Sequence, residues 1–239
     1  MGYLLDYCFF DRLSPEIIDQ CQPYICSKDK GIDSFFHKDH KDNFEDYLSE
    51  MMGYTHCFYT DESHYQNETD EIVKPKMVCA FSLSSSALRT DILPKRTRNR
   101  FNKSIPNSKR RSQYPALLIG QLCVFDGFGN HSFPYNVGDE MMDLIKTLAI
   151  RPENDCAVRY LVVDAINNPS VIDYYLRNGF DFLFESDEEE LQCLHGDPVN
   201  NSFINRIKQF ILPQKGKKHN CKTRLMLFDL ILLNKKVFQ

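Results

Sequence analysis

The chain has 239 residues, 42% of them hydrophobic and 13% aromatic, with no Trp and a formal net charge of -4. That apolar mass supports a sizeable core, and net charge alone makes no case for a nucleic-acid or membrane partner. The nine cysteines are odd in number and show no CxxC spacing, and several lie in apolar runs such as MVCAF around Cys79 and QLCVF around Cys123. They argue against a disulfide framework or a zinc site and favour a reducing cytoplasm. The opening MGYLLDYCFFDRLS lacks the basic start and apolar stretch of a signal peptide. No run approaches the roughly 18 apolar residues of a membrane helix, so no membrane partner is expected.

In chain order, residues 1–14 read as a strand or a start segment. A short helix follows in SPEIIDQC, with Ser14 as N-cap and Pro15 at its first position. The spacing of Phe35, Phe36, Phe44, Tyr47, Leu48 and Met51 predicts one helix over 32–52, ended by Gly53. Strands are predicted at 55–61 and 76–88, with a polar loop between them. Residues 89–113 read as a basic loop. A buried strand is expected at 114–125, a loop at 126–138 and an amphipathic helix at 139–150 with Met141, Met142, Ile145, Leu148 and Ala149 on one face. A second buried strand is expected at 159–166, a short helix at 169–180 stopped by Gly179, a third strand at 180–185 and a last one at 223–233. A polar insertion occupies about 186–222. This order predicts a mixed α/β fold, a sheet with helices packed against it.

Three stretches carry a family resemblance. IGQLCV (119–124) is similar to the "GRLAV" strand of the GCN5-related N-acetyltransferases (GNATs), and VGDEMMDLIKTLAI (137–150) to their "GxGxxLL" helix opening. RYLVVDAINNPSVIDYYLRNGFDFL (159–183) closely follows their R-x-x-V-D-A-x-N-x-x-A-x-x-F-Y-x-x-x-G-F. TRLMLFDL (223–230) fits the last core strand. Upstream, YICSKDKGIDSFF resembles the F-x-C-G-x-x-x-L-D-x-F-F opening of GNATs related to the toxins of toxin–antitoxin pairs. The resemblance implies one GNAT domain over 1–239, with a central mixed sheet splayed between its two middle strands and flanked by helices.

It also implies a chemistry: attack of a primary amine on the thioester of acetyl-CoA. The backbone of Leu122, Cys123 and Val124 would pair with the pantetheine arm. The helix opening at Asn136, Val137, Gly138 and Asp139 would receive the pyrophosphate, because helix N-termini present unpaired N–H groups and partial positive charge. Asn168 stands where the family places a polar CoA contact, and is equally a turn residue in NNP. Tyr175 stands at the tyrosine of F-Y-x-x-x-G-F, which would protonate the leaving thiolate; taken alone it would read as a core aromatic. Asp126 and His131 fall in the loop before the helix as candidates for a base, and read more simply as solvated residues. Cys123 reads as packing. No metal-ligand spacing occurs, so no metal is expected.

The sequence departs from the family at the phosphate loop. Where the pattern is Q/R-x-x-G-x-G/A, this chain has Phe133, Pro134, Tyr135, Asn136, Val137 and Gly138, keeping only the last glycine. Pro134 removes a backbone donor, and Asp139 and Glu140 would repel a phosphate. The alternative to an acetyltransferase is therefore a non-catalytic GNAT-fold binding protein with a degraded CoA pyrophosphate loop. Residues 95–111 carry eight Lys or Arg and no acid. Arg96, Arg98 and Arg100 head this cluster, and Lys215, Lys217, Lys218, Lys222 and Arg224 form a second one. Such clusters fit a polyanion as well as a solvated loop. The related toxins acetylate aminoacyl-tRNA, so the resemblance implies tRNA as acceptor, with a cognate antitoxin and a second copy in a homodimer as further candidate partners.

Overall fold

The computed structural model describes residues 2–61, 74–91, 93–102, 112–129, 133–154, 156–195 and 221–233. The fold is mixed α/β, with a seven-stranded sheet in the order β1-β2-β3-β4-β5-β7-β6 and helices flanking it. Two compact units share the chain. The first is Met1–Ser86, Pro115–Leu161 and Asp229–Gln239; the second is Ala87–Tyr114 and Val162–Phe228. Among the described residues no helix is long and apolar enough to cross a membrane.

The first unit begins with α1 (Tyr3–Tyr7), β1 (Cys8–Arg12) and α2 (Pro15–Gln20). The expected cap is present: the Ile17 N–H donates to Ser14 Oγ at 3.4 Å, with Pro15 in the first turn. Where the sequence predicts one helix over 32–52, the chain makes two, α3 (Lys30–Phe35) and α4 (Phe44–Ser49). Short polar side chains cause the break. Asp29 Oδ1 accepts from Gly31 and Ile32 at 2.8 and 3.1 Å, and Asn43 Oδ1 from Glu45 and Asp46 at 2.8 and 3.1 Å. Asp42 turns the chain between them with φ 60. These local bonds override the apolar periodicity, yet both helices still deliver Phe35, Phe36 and Phe44 to one core with Leu13, Ile17 and Phe125.

Gly53 does not end the helix, which stops at Ser49. It lies beside β3 (Met77–Arg89), where an added Cβ would sit 2.4 Å from the Leu83 carbonyl oxygen, so no side chain fits. β2 (Tyr54–Thr60) pairs antiparallel with both β1 and β3. β4 (Gln113–Val124), α6 (Val137–Ala149) and the start of β5 (Tyr160–Ile166) follow the expected order. Met141, Met142 and Ile145 of α6 are fully buried, as the spacing predicts.

In β2, His56 is packed between Phe10 and Phe81, with ring centroids 5.3 and 5.4 Å away, and its Nδ1 is buried without a partner among the described residues. Burial, with Arg12 nearby, pushes its pKa down to about 4. The unfolded imidazole binds a proton below about pH 6.5 that the folded one refuses until about pH 4, so stability falls as pH drops through this window. Between pH 7 and 4.5 the wild type should lose about 1–2 kcal/mol more than His56→Phe, after allowance for solvent screening. Urea midpoints of the two proteins at both pH values check this; equal losses would remove His56 as the cause.

The second unit holds α5 (Lys95–Asn102), α7 (Pro169–Arg177), β6 (Asp181–Phe182), α8 (Asp187–His195) and β7 (Thr223–Asp229), with the end of β3, the start of β4 and most of β5. Part of the stretch read as a basic loop is thus helical, and part of the polar insertion is α8. The strand expected at 180–185 shrinks to two residues paired with Met226 and Leu227. Phe180 and Phe184, at 1% and 0% exposure, turn inward and leave the ladder. Gly179 is the expected helix stop, with φ +81 and the Phe228 ring 3.1 Å from where a Cβ would sit.

Candidate active site

In the first unit, α6 is capped by Asn136, whose Oδ1 accepts from Asp139 N at 3.3 Å. Asn136 Nδ2 in turn donates to the Asp139 carboxylate. Val137 and Gly138 are buried. Glu140 faces elsewhere than the helix mouth: its Oε2 accepts the Leu4 N–H at 2.9 Å and caps α1, whose own N-cap, Gly2, has no side chain. The sequence offered no signal for this contact across 136 positions. The departures in the loop ahead of α6 have a packing cause as well. Tyr3 meets Phe133 edge-on at 4.7 Å and stacks on Tyr135 at 5.1 Å, and Phe128 meets Phe133 at 5.1 Å. Aromatics that a Gly-rich loop would lack here anchor α1.

On β4, Leu122 and Val124 are half-buried and Cys123 is 3% exposed, so side-chain packing fixes the strand while its backbone carries any pairing chemistry. Asp126 is engaged: its Oδ1 accepts from the Ser27 hydroxyl at 3.1 Å and its N–H donates to the Ile25 carbonyl at 3.0 Å. His131 lies outside the described residues. Among those residues no group of three or more His, Cys, Asp or Glu could hold a metal ion.

In the second unit, α7 is capped by Asn168. Its Oδ1 accepts from the Ser170 N–H and hydroxyl at 3.0 and 2.9 Å, which accounts for its side-chain oxygen without a ligand. Tyr175 is the buried residue of α7, 6% exposed, with its ring edge-on to Tyr174 at 5.2 Å and to Phe180 at 5.4 Å. Burial raises its phenol above the ordinary value near 10. It therefore stays protonated at any physiological pH, the form a proton donor needs.

The basic residues fall into distinct environments. Lys95 and Arg96 are exposed on α5, and Arg98 is half-buried; Arg100 also lies on α5. Arg96 Nε is 3.1 Å from Glu185, an exposed pair that contributes little. Thr97 is buried and its hydroxyl donates to Glu189 at 3.3 Å, which seats α5. Lys103, Lys109, Arg110, Arg111, Lys215, Lys217 and Lys218 lie outside the described residues. Arg224 is not a surface cation: it is 8% exposed, with Nε 2.8 Å from Glu190 and Nη1 on Asp187. Two of the four acids in the DEEE run at 187–190, Asp187 and Glu190, hold it.

This architecture is the GNAT fold. No protein-family model and no curated protein matches the chain. Among solved structures, the chain is similar to a bacterial toxin with a TM-score of 0.55 at 12% identity, over 97% of this chain and 96% of that one. It is similar to AtaT complexed with acetyl-methionyl-tRNAfMet, with a TM-score of 0.52 at 12% identity, over 97% and 99% of the two chains. A mutant of KacT gives 0.51 at 12% identity, again over 97% and 99%.

Proposed function

We propose that the chain is an N-acetyltransferase that moves the acetyl group of acetyl-CoA to a primary amine, with aminoacyl-tRNA as the acceptor. One observation carries this reading: nearly the whole chain shares its fold with AtaT, which has been captured with acetyl-methionyl-tRNAfMet. In the proposed reaction the amine nitrogen attacks the thioester carbonyl and the C–S bond breaks. Tyr175 gives its phenolic proton to the departing thiolate, and the amine loses a proton to water. The backbone of Leu122, Cys123 and Val124 holds the pantetheine arm. The first N–H groups of α6, at Val137, Gly138 and Asp139 next to Asn136, take the pyrophosphate, and Asn168 adds a polar contact. A cognate antitoxin belongs to the same reading as a protein partner.

A second reading, a non-catalytic GNAT-fold binding protein, is favoured by the start of α6. There Asn136 already occupies the Asp139 N–H, and Phe133 and Tyr135 are committed to packing against Tyr3. Calorimetric titration with acetyl-CoA separates the two readings. The acetyltransferase should bind it with a dissociation constant below about 1 mM, a free energy beyond about -4 kcal/mol. Absence of heat and of any thermal shift at that concentration would sink the enzyme reading.

The acceptor is tested through α5. Arg96→Glu with Arg98→Glu should weaken tRNA binding about tenfold or more at low salt. It should also reduce the slope of log affinity against log salt by about 0.7–0.9 for each phosphate that the variant no longer neutralises. Unchanged affinity and slope would remove α5 from the RNA surface.

A further inference from the structure

Where α6 ends and β5 begins, the first unit opens a cleft of about 320 Å³ beside the residues that follow β7. Its apolar lining includes Leu230, which is buried, and Ile150, Val158 and Ile231, which are half-buried. Two cations line it as well, Arg151 and Arg159, and among the described residues no acid does. α6 is 13 residues long, so the cleft lies about 20 Å along the helix from its opening at Asn136. We propose that the cleft binds a small monocarboxylic acid, with its carboxylate on Arg151 and Arg159 and a short apolar body on the wall of Ile150, Val158, Leu230 and Ile231.

The charges in the cleft call for one anion. Arg159 Nη2 donates to Asp229 Oδ2 at 2.8 Å, and Asp229 Oδ1 is taken by the Ile231 N–H at 3.1 Å. Arg159 Nε is buried with no acceptor among the described residues, so the guanidinium keeps hydrogen-bonding capacity that its own carboxylate does not meet. Arg151 is exposed and has no ion-pair partner among the described residues. Two arginines less the one carboxylate of Asp229 leave a net charge of +1, which matches a monoanion. The carbonyls that end α6 would oppose an anion, but Asn154 Nδ2 donates to Leu148 O and Ala149 O, at 2.8 and 3.3 Å, and caps them. A bare inorganic anion would leave the apolar wall wet. A carboxylate on a hydrocarbon body pairs with the arginines and covers the wall at once. This site does not depend on the acetyl-transfer reading, because it uses none of the residues assigned to acetyl-CoA.

Cys156 lines the same cleft and is exposed, which provides a readout apart from enzymatic activity. The full chain is alkylated with N-ethylmaleimide with and without hexanoate, and each cysteine is followed by peptide mass spectrometry. Hexanoate at about ten times its dissociation constant should slow Cys156 about tenfold, with that constant at about 1 mM or below. Cys193, a half-buried thiol that does not line the cleft, should react at an unchanged rate. Hexanol lacks the charge and acetate lacks the body, so each should protect at least about tenfold more weakly. Arg151→Glu, at an exposed position, should weaken protection by hexanoate about tenfold or more. No protection of wild-type Cys156 at about 10 mM hexanoate overturns the proposal, as does equal protection by hexanol or by hexanoate in Arg151→Glu. Protection by acetyl-CoA as strong as by hexanoate would place the cofactor in this cleft and overturn it too. A leucine-ending tripeptide that protects at a lower concentration than hexanoate would give the cleft to a chain end in place of a free acid.

Discussion

Tyr175→Phe should slow acetyl transfer by about 10²-fold or more, while leaving acetyl-CoA affinity within about twofold and stability unchanged. The expectation follows from what the substitution removes. The ring is held edge-on by Tyr174 and Phe180, and phenylalanine keeps both contacts. Only the hydroxyl disappears, and with it the proton that the proposed reaction gives to the leaving thiolate. Because burial raises the phenol's pKa, the wild-type hydroxyl does not titrate between pH 6 and 9, and Tyr175 should add no inflection to the rate profile there. The measurement is single-turnover acetylation alongside calorimetry with CoA. Equal rates in the two proteins would take Tyr175 out of the mechanism without touching the fold. A loss of CoA binding with no loss in the chemical step would make it a binding residue.

β4, β5, α6 and α7 are legible because their signals are local. QYPALLIGQLCV and YLVVDAI are apolar runs bounded by turn residues, and each forms a strand within a residue or two of its expected limits. The motif beginning at Arg159 has a physical reason at its head. The Arg159 Nη2 donates to Asp229 at 2.8 Å and its carbonyl accepts from Leu230 N, which fastens the start of β5 to the end of β7. What failed was also local, but polar. The aromatic spacing over 32–52 is real and fills the core, yet Asp29 and Asn43 offer the backbone better partners at two new helix starts than one continuous helix would.

Long-range contacts account for the rest. Reading along the chain, Arg224 belongs to a basic stretch and Asp187 and Glu190 to an acidic one; in space they neutralise each other. Glu140 reads as a charge hostile to phosphate, but it caps a helix more than a hundred positions away. Phe133 and Tyr135 read as losses from a glycine-rich loop, yet they are gains for the packing of Tyr3. None of these pairings has a signature in spacing or composition, because each partner's identity is set by the fold and not by its neighbours in sequence.

Arg224 is where such a contact has its largest expected effect on stability. Arg224→Met should destabilise the second unit by about 3–5 kcal/mol, the range for removing one partner of a buried ion pair. The guanidinium is 8% exposed and donates to Glu190, to Asp187 and, at 3.4 Å, to the Phe184 carbonyl, with its carbon 4.4 Å from the Phe182 ring centroid. Glu190 is 2% exposed, so without Arg224 its carboxylate would be a buried charge short of its counterion. Among the described residues its remaining donor is the Leu225 N–H at 2.7 Å, too little to offset the desolvation of a carboxylate. Glu190→Gln with Arg224→Met removes the stranded charge and should recover about 1–2 kcal/mol relative to the single variant, because the amide can still accept from Leu225. Full recovery is not expected: Asp187 also loses a partner and keeps, among the described residues, Asn167 and the Cys221 N–H, at 3.2 and 3.3 Å. Urea unfolding of the wild type, both single variants and the double variant gives the coupling directly. A loss under about 1 kcal/mol for Arg224→Met would mean that water reaches Glu190 readily enough to replace the guanidinium. In that case the acidic run would be solvated, and Arg224 would return to the pool of cations available to an RNA.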